Sequence, residues 1–294
     1  MSELKAFVNG EIVPLDAAII KPTDRGFLYG DGIFETLRAY RGRPLMLPEH
    51  LNRMKSSASI LGIPLPSDLA GCRKIISDLI EANSCPEAYI RITVSRGTGA
   101  WGLLPADGLV PTLNIIVRPF AGYPGRLFEN GAVLKIASWR RSSSDPLAAH
   151  KTTSYLPLLL ARMECAREPV ADEALILSTD SAITECSTAN FFICAHDRII
   201  TPPVSDRLLP GVTRAVVMTI ARRCGMDCEE TSLTINSTEK WDECFITNSL
   251  MEIMPVRKIM AGPGTVWEKP APGLLTARLR KEYRDLIETE SSAI

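Results

Sequence analysis

The sequence predicts an α/β (α+β) protein of two domains. Its 294 residues are 46% hydrophobic and 23% charged, which is enough chain for two domains that each have a core. Strand and helix patterns alternate through the second half. The stretch PFAGYPG, residues 119–125, is dense in Pro and Gly and is typical of an interdomain linker. We therefore predict an N-terminal α/β domain over 1–118 and a larger C-terminal domain over 126–294.

The first half contains patterns of hairpin, strand and helix. AFVNGEIV predicts a hairpin because Asn-Gly favours a two-residue turn between strands. Alternating apolar residues predict strands, and apolar residues three and four apart predict helices. The predicted elements are the hairpin 6–13, a strand at 33–40, a helix from Pro48 to Gly62, a helix at 67–82, and strands at 88–96 and 111–118.

The second half follows the same rules. Short apolar runs bounded by turn residues predict buried strands, and longer periodic runs predict helices. The predicted elements are strands at 132–137, 173–177, 189–194 and 198–201, a helix within 154–167, a helix that ends near Cys224, a strand–turn–strand at 244–256, and an amphipathic helix at 271–287.

Charge and cysteine content narrow the function. The formal net charge is −1, so nothing favours a nucleic-acid partner or an anionic membrane surface. Eight scattered cysteines form no CxxC pair, and three histidines argue against a metal site. The polar start predicts no signal peptide, and no apolar run has the length of a membrane span. We expect a cytoplasmic protein with free thiols, in which Cys186 is a small buried residue.

Lys151 and Glu185 are the first candidates for chemistry. A helix and a hairpin separate them, which is enough chain to bring both to one side of a sheet. A lysine amine holds the aldehyde of pyridoxal phosphate as a Schiff base, and an acid beside the ring nitrogen keeps the ring protonated. Judged by spacing alone, such residues are more often solvated surface charges.

Two further segments could hold a phosphate. Arg53 follows His50 on the helix that begins at Pro48, and a guanidinium binds phosphate bidentately. The alternative is a solvated helix arginine. The run from Leu209 to Arg214, LPGVTR, leads into a helix whose first N–H groups favour anions. Thr213 there is either an N-terminal cap, a phosphate ligand, or both.

Five motifs together resemble the class-IV aminotransferase family, the fold-type-IV pyridoxal phosphate enzymes. They are E-H-L-x-R, K-T-x-x-Y-L, D-E-A-L-x-L, T-E-x-S-x-x-N-F-F and L-P-G-V-T-R. The family includes branched-chain aminotransferases, D-amino-acid transaminases and aminodeoxychorismate lyases, and the resemblance covers nearly the whole chain. It implies a small N-terminal α/β domain, a larger C-terminal cofactor-binding pseudo-barrel domain, and a homodimer.

The resemblance also implies roles for individual residues. Lys151 matches the Schiff-base lysine and is the expected catalytic residue, which moves a proton between the substrate's alpha carbon and C4′ of the cofactor. Glu185 matches the partner of the ring nitrogen. The expected phosphate ligands are Arg53, Val212, Thr213 and Ser249, with Thr247 as the second choice after Ser249. Tyr155 either contacts the cofactor or is a core residue.

Four residues are predicted to contact substrate: Phe34, Tyr89, Arg91 and Trp101. Tyr89-Ile90-Arg91 and the run R-G-T-G-x-x-G-L-x-P are similar to branched-chain aminotransferases, where this arginine helps to receive a substrate carboxylate. The spacing K-T-x-x-Y-L, Thr36 and the run N-S-L-M look more like aminodeoxychorismate lyases, although these carry an arginine where this chain has Trp101.

The subgroup therefore has several interpretations. We place an aminotransferase of branched-chain type first, with a 2-oxo acid such as 2-oxoglutarate as amino acceptor. The lyase, which releases pyruvate and 4-aminobenzoate, is second, and a D-amino-acid transaminase is third. A non-catalytic pyridoxal phosphate carrier is the alternative from another class, and retention of both Lys151 and Glu185 argues against it.

Overall fold

The computed structural model describes residues 4–99 and 101–292. Ala100, in the loop predicted to carry a substrate contact, lies outside them, as do the first three and last two residues. The chain divides into two compact units. Among the described residues, the first contains the chain up to Ala121, His150–Ser154 and the stretch from Thr289. The second contains Gly122–Ala149 and Tyr155–Glu288. The short segment around Lys151 thus belongs to the first unit, although a division of the sequence at 119–125 places it in the second.

The first unit is a six-stranded antiparallel sheet with helices against it, in the strand order β2-β1-β6-β5-β3-β4. Its strands are β1 (Lys5–Val8), β2 (Glu11–Pro14), β3 (Gly32–Tyr40), β4 (Arg43–Pro44), β5 (Ala88–Ser95) and β6 (Thr112–Pro119). Its helices are α1 (Arg25–Tyr29), α2 (Leu47–Leu61) and α3 (Cys72–Ala82). Asn9 and Gly10 form the predicted turn between β1 and β2, both with positive φ.

Helix α2 is anchored on the sheet by its apolar side. Met54 and Ala58 share one buried cluster with Ile33 and Leu37 of β3. Gly62 ends the helix in the left-handed conformation (φ 63°), which glycine adopts without strain. His50 is also on the buried side of α2, so a polar group faces β3 among apolar neighbours.

The second unit contains a larger mixed sheet, in the order β12-β11-β10-β14-β15-β7-β8-β9-β13, with β16 paired to β15. Its strands are β7 (Ala132–Arg141), β8 (Glu173–Ser178), β9 (Ala182–Cys186), β10 (Asn190–Ala195), β11 (Arg198–Thr201), β12 (Asp227–Glu230), β13 (Leu233–Thr234), β14 (Glu243–Asn248), β15 (Glu252–Ala261) and β16 (Gly264–Glu268). Its helices are α4 (Gly125–Asn130), α5 (Leu156–Cys165), α6 (Val212–Arg223) and α7 (Leu274–Ser292).

Strands β8 and β10 are buried along their whole length, which explains why they read as continuous apolar runs rather than alternating ones. Strand β7 pairs in parallel with both β8 and β15. A shift of register lies between Ile136 and Arg140.

Several general features can be stated for the part of the chain that the structure describes. None of its helices combines the length and apolar character needed to cross a membrane. All eight cysteines are free. No cluster of three or more His, Cys, Asp or Glu side chains suited to a metal ion is found there. Cys186 is buried, and burial raises the pKa of its thiol well above the usual value.

Candidate active site

In the first unit, backbone contacts fix the segment that carries Lys151. The N–H of Phe34 donates to the Lys151 carbonyl (2.9 Å), and the N–H of Thr153 donates to the Gly32 carbonyl (2.9 Å). His150 Nδ1 lies 3.1 Å from Oγ of Ser57 on α2. Residues 150–154 are thereby held against β3 and α2, so the origin of the lysine side chain is determined by the sheet.

The Lys151 amine lies over an aromatic ring. Its Nζ is 4.7 Å from the centroid of the Phe34 ring, and the guanidinium carbon of Arg91 is 3.7 Å from the same centroid. These are distances for cation–π contact. Phe34 therefore brings the predicted catalytic lysine and the predicted carboxylate-binding arginine together. Tyr89, two residues before Arg91 on β5, lies under the guanidinium of Arg118 at 4.6 Å.

Arg53 is held side-on by a glutamate from β3. Its Nε donates to Oε1 of Glu35 (2.9 Å) and its Nη2 donates to Oε2 (2.6 Å). His50 Nδ1 lies 2.7 Å from the same Oε2. Because an ionised carboxylate only accepts hydrogen bonds, Nδ1 carries the hydrogen and donates it. The result is a buried cluster of Glu35, His50 and Arg53 in which one carboxylate accepts all three bonds.

The charge states of the cluster follow from these contacts. Burial alone would raise the pKa of Glu35, but the charge and hydrogen bonds of Arg53, together with His50, outweigh it and lower the pKa to about 2. Burial lowers the pKa of His50 below its usual value, and the nearby Arg53 and Lys151 charges lower it further, against the opposing effect of Glu35. At neutral pH the cluster therefore combines one cation, one anion and a neutral imidazole.

Trp101 has a different environment. Its side chain is 77% exposed. The loop is anchored by Arg25, which donates to the carbonyls of Gly102 (2.8 Å) and Leu103 (2.7 Å). The predicted substrate contact of Trp101 stays a prediction, on a loop whose backbone is held by a buried arginine.

In the second unit, Glu185 is a buried carboxylate with two partners. Arg141 Nη1 donates to Oε1 (2.6 Å), and the N–H of Leu209 donates to Oε2 (3.1 Å). Arg141 Nη1 also donates to the Arg207 carbonyl at 3.0 Å. The carboxylate is therefore held by a donor at each of its two oxygens.

The start of α6 brings two predicted phosphate ligands together. Thr213 Oγ1 and Ser249 Oγ lie 3.4 Å apart. Val212 is the first residue of the helix, so its N–H is among those that have no partner within the helix. Two hydroxyls beside the N-terminus of a twelve-residue helix suit an anion with several acceptor oxygens. Arg214 does not contribute, because it donates to the Pro202 carbonyl and to Glu230.

The turns around this helix start are closely fitted. A Cβ on Gly211 would lie 1.9 Å from Oδ1 of Asn190, so only glycine is accommodated there. Asn190 in turn donates to the Leu209 carbonyl at 2.9 Å. Oδ1 of Asn248 accepts from the N–H groups of Leu250 and Met251 (2.9 and 2.8 Å), which shapes the turn that presents Ser249.

Thr247 is buried, and its Oγ1 has no hydrogen-bond partner among the residues that the structure describes. A buried hydroxyl without a partner is rare and usually indicates a group that is absent from the structure. Thr247 lies two residues before Ser249 on β14 and pairs with Asn190 of β10. The donor set of the second unit, with its helix start and hydroxyls for a phosphate and its buried carboxylate for a ring nitrogen, therefore fits pyridoxal phosphate.

Tyr155 is the residue immediately before α5, and its carbonyl accepts from the Leu159 N–H at 3.0 Å. Its side chain is half-buried, and its contact with the cofactor stays a prediction.

Sequence reasoning missed two residues that touch the predicted site. The first is Glu35, which occupies an apolar position in the alternation of Ile33, Glu35 and Leu37; a charged residue there was the available signal. The second is Arg141. Nothing in the sequence distinguishes it from Arg140, which is exposed.

Comparisons with known proteins identify the family of the chain. The family model for amino-transferase class IV matches residues 32–259. The branched-chain-amino-acid aminotransferase of Salmonella typhimurium is 29% identical over 293 residues, covering 96% of this chain and 93% of that protein.

Two solved structures illustrate the similarity of fold. The branched-chain amino acid aminotransferase of Escherichia coli superposes with a TM-score of 0.90 at 27% identity, covering 98% of this chain and 96% of that one. The 4-amino-4-deoxychorismate lyase of Pseudomonas aeruginosa gives 0.82 at 29% identity, covering 95% and 98%. The chain belongs to the class IV aminotransferases, which are pyridoxal phosphate enzymes.

Proposed function

We propose that the protein transfers an amino group from a branched-chain amino acid to a 2-oxo acid such as 2-oxoglutarate, with pyridoxal phosphate as cofactor. The observation that carries this proposal is the buried Glu185–Arg141 pair. A carrier of the cofactor needs no ionised acid beside the ring nitrogen, whereas transamination needs it to make the ring an electron sink.

The proposed roles follow from the contacts of each residue. Lys151 supplies the amine that binds the cofactor and afterwards moves a proton at the substrate's alpha carbon. Glu185 accepts the N–H of the ring nitrogen. Arg53, the N–H of Val212 and the hydroxyls of Thr213 and Ser249 bind the phosphate. When bound, pyridoxal phosphate supplies the conjugated ring that stabilises negative charge on the substrate carbon.

Selectivity for branched-chain substrates rests on the first unit and on the relatives. Arg91 is placed to meet a substrate carboxylate, because its guanidinium lies over the same ring as the Lys151 amine. Phe34 and Tyr89 offer apolar surface to an aliphatic side chain. The similar enzymes from Salmonella typhimurium and Escherichia coli are named for branched-chain substrates.

The lyase is the second candidate. Its support is the structural similarity to the Pseudomonas aeruginosa lyase, at an identity slightly above that of the Escherichia coli enzyme, and the K-T-x-x-Y-L spacing after Lys151. A D-amino-acid transaminase is third.

We propose a cytoplasmic homodimer as the working form. Every exposed residue of α5 is apolar: Leu156, Pro157, Leu159, Leu160 and Met163. The three leucines are 52–64% exposed and the methionine 50%. Single exposed apolar residues are ordinary, but a continuous uncharged helix face indicates a covered surface. A second copy suits it because a twofold axis brings two such faces together without opposing charges.

A pair of variants tests the dimer. Leu159→Glu places a charge in the α5 face and should give a monomer by sedimentation. Leu274→Glu, at an 88% exposed position that begins α7, is the matched control and should leave the dimer intact. A Leu159→Glu protein that remains dimeric would show that α5 does not form the dimer interface.

Half-reactions test the function. The protein loaded with pyridoxal phosphate is mixed separately with L-leucine, D-alanine and aminodeoxychorismate. Loss of the cofactor's visible band in favour of pyridoxamine phosphate with L-leucine supports the proposal. The same change with D-alanine alone supports the D-amino-acid transaminase, and pyruvate release from aminodeoxychorismate supports the lyase. No response to any of the three compounds would support the non-catalytic pyridoxal phosphate carrier.

A further inference from the structure

We propose that Glu35 is a positioning residue: by accepting two hydrogen bonds from Arg53, it holds the guanidinium in the orientation that binds the cofactor phosphate. The proposal rests on the proposed binding of pyridoxal phosphate through Arg53. Its basis is the geometry of the buried cluster in the first unit, where both oxygens of one carboxylate accept from one guanidinium.

The two hydrogen bonds fix the orientation of the Arg53 guanidinium as well as its distance from Glu35. Bonds from Nε and Nη2 to the two oxygens of Glu35 determine both the plane of the guanidinium and its rotation within that plane. A long arginine side chain that is already ordered loses less freedom when a ligand arrives. Arg53 is mostly buried, with 11% of its side chain exposed, so its hydrogen bonds to Glu35 are largely shielded from competing water.

Glu35 is itself fixed from two sides. It lies on β3, where its neighbours Ile33 and Leu37 belong to the core, and its Oε2 also accepts from His50 on α2. The preceding residue, Phe34, holds the Lys151 carbonyl and lies beneath the Lys151 amine. Two consecutive residues of one strand therefore fix the lysine and the arginine that are proposed to hold opposite parts of the cofactor.

Electrostatics opposes this arrangement, which makes the proposal testable. The Glu35 carboxylate cancels the charge of Arg53, and His50 is neutral, so the cluster carries no net charge toward an anion. If charge alone mattered, removing the carboxylate would strengthen phosphate binding. If positioning matters more, the same change weakens it. The sign of the effect of Glu35→Gln therefore distinguishes the two.

The experiment measures ligand affinity rather than activity. The protein stripped of cofactor is titrated calorimetrically with pyridoxal phosphate and with pyridoxal, which lacks the phosphate. Glu35→Gln should lower the affinity for pyridoxal phosphate by roughly 10-fold or more, the scale found for residues that orient a ligand-binding group. The affinity for pyridoxal should be unchanged. Glu35→Asp keeps the negative charge but shortens the side chain. It should also lower the affinity for pyridoxal phosphate and leave the affinity for pyridoxal unchanged.

Two further variants complete the design. Asp24→Asn is the matched control, because Asp24 is equally buried in the same unit but accepts from Ser95 and Thr112 rather than from an arginine; its affinity should equal that of the wild type. In an Arg53→Lys background, Glu35→Gln should have no further effect on the affinity, since Glu35 acts through Arg53.

Three results would overturn the proposal. They are pyridoxal phosphate binding that is unchanged or tighter in Glu35→Gln, unchanged binding in Glu35→Asp, and an equal loss for pyridoxal and pyridoxal phosphate. If Glu35→Gln does not fold, as judged by circular dichroism, the result for Glu35→Asp decides. A wild-type protein that fails to bind pyridoxal phosphate would instead refute the proposed function.

Discussion

In the described part of each unit one arginine–glutamate pair is buried, and the proposed roles of the arginine and the glutamate are exchanged between the two pairs. In the first unit Arg53 is the binding group and Glu35 supports it. In the second unit Glu185 is the binding group and Arg141 supports it. Buried ion pairs are weak sources of stability, because desolvation offsets their attraction. Two such pairs beside predicted cofactor ligands therefore point to function rather than to stability.

The geometry of the two pairs differs in keeping with these roles. Arg53 gives Nε and Nη2 to Glu35, which immobilises the arginine. Arg141 donates to Glu185 through Nη1, and its buried Nε has no hydrogen-bond partner within residues 4–99 and 101–292. Glu185 is fixed instead by the Leu209 N–H on its other oxygen. In the first pair, therefore, the arginine is held through two of its nitrogens, and in the second pair the carboxylate is held at both of its oxygens.

Lys151→Ala has the largest expected effect and gives the reference for both pairs. Loss of the amine should abolish the visible absorbance of bound cofactor and lower turnover on the order of 10³-fold or more, since lysine is both the attachment point and the acid–base group. Absorbance spectra and steady-state rates measure this. Transamination retained at a rate near that of the wild type would refute the role of Lys151.

Glu185→Gln should lower turnover on the order of 10²–10³-fold, the range for loss of one preorganised electrostatic partner. Cofactor retention should change much less, because the phosphate contacts remain. The ratio of turnover to cofactor affinity, measured on the same preparation, separates this variant from changes at Arg53, which should act on affinity. A turnover near the wild-type value would contradict the proposed contact between Glu185 and the ring nitrogen.

Arg141→Lys should have a smaller effect, with turnover lowered by about 10-fold, because a cation remains but cannot reach both Glu185 and the Arg207 carbonyl in the same way. Arg141→Met should be worse and should also destabilise the fold by about 3 kcal/mol, since it leaves a buried carboxylate without its cation. Rates and urea unfolding measure the two consequences. Equal turnover in Arg141→Lys and the wild type would contradict a supporting role.

Acid stability tests the first pair. The pKa of Glu35 is lowered from 4.5 to about 2 on folding, so unfolding takes up a proton as the pH falls. The stabilisation is present above pH 4.5 and is lost as the pH falls toward 2. A difference of about 2.5 pKa units at 1.36 kcal/mol each corresponds to about 3 kcal/mol. Between these pH values, unfolding of Glu35→Gln should depend less on pH than that of the wild type.

The pKa values of Asp31 and Glu164 are also lowered, by hydrogen bonds and charges that outweigh burial, so part of the acid sensitivity should remain in Glu35→Gln. A slope in Glu35→Gln equal to that of the wild type would mean that other carboxylates account for the acid sensitivity.

Much of the fold could be predicted from the sequence because short-range patterns determine it. The Asn9-Gly10 turn, the helix end at Gly62 and the alternation of β5 follow from local conformational preference and from which face is buried. The motifs that resemble the class-IV aminotransferase family likewise select Arg53, Lys151 and Glu185, and their roles stay predictions. A motif can select such residues without any knowledge of what surrounds them.

Tertiary structure alone decided which side chains support these groups. Arg140 and Arg141 are adjacent and identical in type, and only the folded sheet shows that Arg141 meets Glu185 while Arg140 is exposed. Glu35 on β3 contacts Arg53, which lies eighteen residues later in the chain, because α2 packs across β3. Periodicity specifies which face of an element is buried, but the partner it meets depends on long-range register and packing, which no local pattern encodes.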